Sequence, residues 1–66
     1  MRVYLLDLTT NKLVDTIDGD DILEILEKAE REHRVHDARI LSIMDKLYLC
    51  NNEVPMFRCI IVEGDI

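Results

Sequence analysis

The sequence predicts an α+β fold: a small antiparallel sheet, in ββαββ or ββαβββ order, with one amphipathic helix packed on one face. Three observations predict it. Two short apolar runs at the start of the chain are separated by turn-forming residues. One stretch in the middle has helical periodicity and a capping signature. From Ala38 to Val62, 16 of 25 residues are apolar and fall in short runs, which suits strands better than long helices.

The first two strands are expected over residues 2–8 and 12–17, around Thr9-Thr10-Asn11. Asn tolerates positive φ, so a tight hairpin is the natural connection. A two-residue loop at Thr10-Asn11 pairs Leu8 with Leu13 and sets Asp15 opposite Leu6. A three-residue loop sets Asp15 beside Leu5 instead. Neither register separates apolar from polar side chains cleanly, so both stand at this point.

Asp18-Gly19-Asp20-Asp21 ends the second strand. Asp21 followed by Glu24 has capping-box spacing, with Asp in place of Ser or Thr. Ile22, Ile25, Leu26, Ala29 and His33 then share one face at 3.6-residue spacing, with Leu23 at its margin. A helix from about 21 to about 35 follows. Glu24–Lys28, Glu27–Arg31 and Glu30–Arg34 are i,i+4 pairs with the acid on the N-terminal side, the favourable order. Four turns are marginal in isolation, so the apolar face must pack on the sheet.

Residues 39–44 and 47–50 read as strands joined at Asp45-Lys46. Residues 56–62 form the strongest strand, rich in β-branched and aromatic residues, after a turn over 51–55. Ile40, Ile43, Met44, Leu47 and Tyr48 also fit helical spacing. The strand reading is preferred because short bounded apolar runs suit strands. Only one face of the sheet can be covered by one helix, and strand alternation sends about half of the apolar side chains to the other face. That excess predicts a second face or edge that meets another chain, a homodimer being the simplest case.

Sixty-six residues make a single compact domain, 1–66, with no linker. A core of this size is marginal and leaves little room for a substrate pocket. The chain has no Gly-rich phosphate loop and no GxSxG context around Ser42, so an enzyme is not expected. Net charge is −6, which argues against direct binding to nucleic acid or anionic membranes. No apolar run approaches a membrane span. Only Cys50 and Cys59 are present, which agrees with a reducing, cytoplasmic setting. If the last hairpin paired residues summing to 109, these two cysteines would face each other; two buried free thiols are the plainer reading.

Residues 15–32 hold eight of the fourteen acidic residues and two basic ones, and so carry the whole net charge. With three Glu assigned to helix partners, a knot of Asp15, Asp18, Asp20 and Asp21 remains, together with Glu32. Helix capping and turn formation account for much of it. Its functional reading is an acidic patch that docks a basic surface of a partner. The Asp18–Glu24 spacing does not match an EF-hand. His33 and His36 are weak zinc candidates, with Glu32 or Asp37 as helpers, because a closed zinc site needs four ligands and no recognisable spacing supplies them. No cofactor is expected. The expected activity is therefore binding: a small protein-interaction module or inhibitor acting on another protein. Two alternatives are an acidic inhibitor filling a basic, nucleic-acid-binding groove and a small metal-binding domain.

Overall fold

The computed structural model describes residues 1–62. Strands β1 (Arg2–Asp7) and β2 (Leu13–Asp18) precede helix α1 (Ile22–His33). Strands β3 (Ala38–Ile43), β4 (Lys46–Asn51) and β5 (Val54–Val62) follow it. All pair antiparallel in one sheet of order β2-β1-β5-β4-β3. The predicted ββαβββ order and the single helix on the sheet are therefore present, and residues 40–48 are strands joined by a turn.

The topology follows from the connections. The three hairpins are local, and β5 returns to pair with β1 in the middle of the sheet. Helix α1 leaves one edge strand, β2, and delivers the chain to the other, β3, so it crosses one face and touches both. Beneath it lie Val3, Leu5, Ile17, Leu49 and Cys59 from the sheet, with Ile25 and Ala29 from the helix, all buried. Val35 completes this cluster. Arg34 adopts the left-handed conformation (φ 54°), which reverses the chain at the helix end and turns Val35 inward.

The helix starts as its capping residues require. Asp21 accepts a hydrogen bond from the Glu24 N–H at 2.9 Å, and the Glu24 carboxylate accepts from the Asp20 N–H at 2.6 Å. Gly19 sits in a tight place: a Cβ would lie 3.1 Å from the Cδ1 of buried Ile25 and would press its neighbours by a few tenths of an ångström. The left-handed cap stops the helix at His33, two residues short of the expected end, and removes Arg34 from helical register with Glu30. Glu24–Lys28 closes as an ion pair at 3.6 Å. Glu27 and Glu30 make no ion pair among the described residues, so the solvent face of α1 is more acidic than the i,i+4 spacing implies.

The first hairpin decides between the two open registers, and the β3–β4 turn moves by one residue from the expected one. Arg2 to Leu5 pair with Asp18 to Asp15, and a bulge then sets Leu6 against Leu13. Asp15 thus lies beside Leu5, and Leu8 belongs to the turn. That turn is built on Asp7, whose carboxylate accepts from the N–H groups of Thr9 and Thr10, with Asn11 left-handed (φ 59°). The β3–β4 turn is Met44-Asp45 rather than Asp45-Lys46, and the β4–β5 turn is Asn52-Glu53. Both central residues of each have positive φ, the combination of a type I′ turn. As a result Cys59 pairs with Leu47, and Cys50 with Pro55 across a bulge. The two cysteines are not opposite each other, and both are free.

Met44 and Asp45 occupy left-handed backbone without being glycine, and Met44 is 90% exposed. The double substitution Met44→Asn, Asp45→Gly removes that steric cost and loses no packing. It is expected to stabilise the fold by about 1 kcal/mol, or roughly 4–8 °C in melting temperature. A thermal melt of the two chains checks this.

Candidate functional site

The acidic knot lies where β2 gives way to α1, and folding draws on most of it. Arg2 and Asp18 are cross-strand partners, and the Arg2 guanidinium donates to the Asp18 carboxylate at 2.8 Å. The Lys28 ammonium reaches back to donate to the Asp18 carbonyl. Asp21 caps the helix. Asp20 is the member whose carboxylate makes no hydrogen bond among the described residues. Around these groups runs an open cleft of about 410 Å³, lined by Arg2, Asp18, Gly19, Asp20, Glu24 and Lys28 together with Met1. Three acids and two bases share it, so its field is mixed.

Hydrogen bonds set the acidity of two carboxyls. The Arg2 guanidinium holds Asp18 below the usual carboxylate value of 3.8. The backbone N–H groups of Thr10 and Thr9 do the same for Asp7. A depressed folded-state pKa means stability that is complete above the ordinary value and is lost as pH falls through the lower, folded value. The melting temperature is therefore expected to drop below pH 3.8, and Asp7→Asn and Asp18→Asn to flatten that drop. Melts from about pH 5 to about pH 2 measure it.

Asp15 points away from the rest of the knot. It sits on the helix-facing side of β2, where it meets the last residue of α1: His33 Nε2 and Asp15 Oδ2 are 2.9 Å apart. The other carboxylate oxygen accepts from the Thr16 N–H at 2.8 Å. The His33 ring packs at 59° against Phe57, with centroids 5.4 Å apart. Glu32 brings a carboxylate to the same place, and one donor atom from each of Asp15, Glu32 and His33 lies within 4.8 Å of the others. His36, the other predicted zinc candidate, is exposed beyond the helix and is not in this group.

The sheet face away from α1 is the second candidate. Strand parity puts Tyr4 and Leu6 of β1 there, together with Arg58 and Ile60 of β5. Tyr48 of β4 and Leu41 of β3 continue the row from Arg58 outward. Ile60 is 48% exposed and Ile43 40%. Among the described strand residues, the same parity brings up four bases, Arg2, Arg39, Lys46 and Arg58, and one acid, Asp18, which pairs with Arg2. Arg58 extends over Leu6 to donate to the Asn11 side chain. Beside the start of β4, a notch of about 320 Å³ opens between Asp45, Lys46, Leu47, Arg58 and Ile60, so an acid also borders this face. A net charge of −6 thus conceals a division: acid on the helix side, base around an apolar centre on the open sheet face. Composition alone could not find this face, because its bases lie far apart in sequence. Alternation within each strand was the available signal.

The cysteines offer little chemistry. Burial pushes the Cys59 thiol up to about 11, so it stays protonated near neutral pH. Cys50 is shifted in the same direction for the same reason. Among the described residues no helix is long and apolar enough to cross a membrane. Compared with family models, curated proteins and solved structures, the chain matches none. What fold and surfaces define is a small α+β protein with one covered sheet face and one open, apolar and basic face.

Proposed function

We propose that the protein is a non-enzymatic binding module whose open sheet face receives an acidic, apolar segment of a partner protein. The observation that carries this reading is the charge around the apolar centre on the face that α1 does not cover: among the described strand residues, four bases to one acid, with Asp45 beside the notch. Apolar contact with Leu6, Ile60 and Leu41 would supply affinity, and the surrounding bases would select acidic partners and speed their approach. Tyr and Arg are also the residue types that most often anchor interfaces, and Tyr4, Tyr48 and Arg58 stand together here. Basic and aromatic residues on a sheet can stack single-stranded nucleic acid as well. The net charge of −6 opposes any acidic ligand at long range, but far less a short segment with few carboxylates than a phosphate chain, which favours a protein segment.

The test is selection of peptides from a random display library on the immobilised protein, followed by amide chemical-shift mapping of a selected peptide. Selected sequences are expected to combine Asp or Glu with large apolar residues. Shifts are expected on Leu6, Tyr48, Arg58 and Ile60, and affinity is expected to weaken as salt is raised. Three results would overturn the reading. One is a set of basic peptides that shift Asp18, Asp20 and Asp21, the behaviour of an acidic inhibitor of a basic groove. Another is oligodeoxythymidine binding at the open face. The last is self-association that buries this face, seen by sedimentation.

A further inference from the structure

We propose that Asp15, Glu32 and His33 form a binding site for one transition-metal dication, zinc by chemistry. The site lies on the helix-facing side of β2 and is separate from the open sheet face. One imidazole nitrogen and two carboxylate oxygens already stand within 4.8 Å of one another. Around a zinc ion, with ligand bonds of about 2.0–2.2 Å, neighbouring donors sit roughly 3.4 Å apart. The Asp15–His33 contact of 2.9 Å therefore opens by about half an ångström to admit the ion.

Several independent features favour a cation there. Two carboxylates balance a 2+ charge. The site abuts the C-terminal end of α1, where unpaired carbonyls make the potential negative. His33 brings the imidazole that discriminates against calcium and magnesium, which take oxygen ligands. Both first ligands are already oriented, His33 by its packing on Phe57 and Asp15 by the Thr16 N–H. Such support around the ligands is what metal sites use to hold geometry. Because β2 is an edge strand and Glu32 is exposed, water can reach the ion and complete its coordination. The donor set thus differs from the closed four-ligand pattern that made His33 and His36 weak candidates. It joins a strand to a helix end through residues 17 and 18 positions apart.

Binding the ion would replace the direct His33–Asp15 contact with a shared metal. It would also tie the edge strand to the helix and raise the melting temperature.

The experiment is calorimetric titration of the full chain with zinc chloride, paralleled by thermal melts and by visible absorption with cobalt(II). Wild type is expected to bind one equivalent, to melt higher with zinc, to return to its starting melting temperature with a chelator, and to give cobalt ligand-field bands. Glu32→Gln and Asp15→Asn are each expected to weaken binding by about tenfold or more, and His33→Gln to abolish it. His36→Gln is expected to bind as wild type does. Glu32 is exposed, so its variant keeps the fold even if His33→Gln does not, and it then decides the question. Absence of saturable binding would overturn the proposal. So would unchanged affinity in the Glu32→Gln, Asp15→Asn double variant, which would place the metal elsewhere.

Discussion

Alanine at Leu5 is expected to remove about half of the chain's folding stability. Leu5 is 1% exposed on a central strand. It lies between Asp15 of β2 and Cys59 of β5 and belongs to the cluster that holds Ile25 and Ala29 of the helix. Truncating a buried Leu to Ala costs about 2–5 kcal/mol through lost transfer free energy and the cavity left behind. A domain of 66 residues has roughly 3–10 kcal/mol in total, at ~0.05–0.15 kcal/mol per residue. At the middle of both ranges the deletion removes about half of that. Collapse around the cavity offers little relief, since Leu5 is flanked by paired strands on both sides and the helix above. Urea unfolding followed by circular dichroism measures the change. A loss below about 1 kcal/mol would show that the helix does not pack where this structure has it.

Aspartate at Ile60, combined with Arg58→Glu, is expected to do the opposite: retain the fold and abolish binding of acidic peptides. Ile60 is on β5 as Cys59 is, but its side chain points to the open face and is nearly half exposed. The cost to stability is expected to be about 1–2 kcal/mol, from lost β propensity at Ile60 and loss of the Arg58–Asn11 hydrogen bond. The binding loss is expected to reach about 2 kcal/mol or more, roughly thirtyfold, as for a central interface residue. Reversing Arg58 adds repulsion to an acidic partner. Calorimetry with a selected peptide, beside a urea melt of the same variant, separates the two effects. Retained affinity in a folded variant would remove the sheet face from the proposed function.

The contrast between Leu5 and Ile60 depends on which face each strand residue takes, and that was only partly legible in the chain. Helix α1 was legible because its signals are local. Asp21 and Glu24 mark the start within one turn, and Ile22, Ile25, Leu26 and Ala29 mark the inner face. The turns were less legible. Met44-Asp45 and Asn52-Glu53 form type I′ turns without the glycine that usually announces them, so the strand ends were displaced by one or more residues. A slip of one residue changes the face of every side chain after it, which is why a cross-strand Cys50–Cys59 pair was conceivable from sequence and is absent from the sheet. The ion pairs drawn along the helix failed at Glu30–Arg34 for a related reason. The left-handed cap that buries Val35 takes Arg34 out of register.

By itself, the sequence determined the class of fold, the order of elements, the capped helix and the concentration of acid between residues 15 and 32. Those features arise from neighbours a few residues apart, or from summed charge, and need no knowledge of what packs where. Tertiary structure alone decided that β5 lies beside β1, that Asp15, on the face of β2 that buries Ile17, meets His33, and that four scattered bases converge on one sheet face. Each is a contact between residues distant in the chain. Such contacts are selected by the joint burial of one apolar cluster, to which every strand and the helix contribute, and no local pattern encodes that choice.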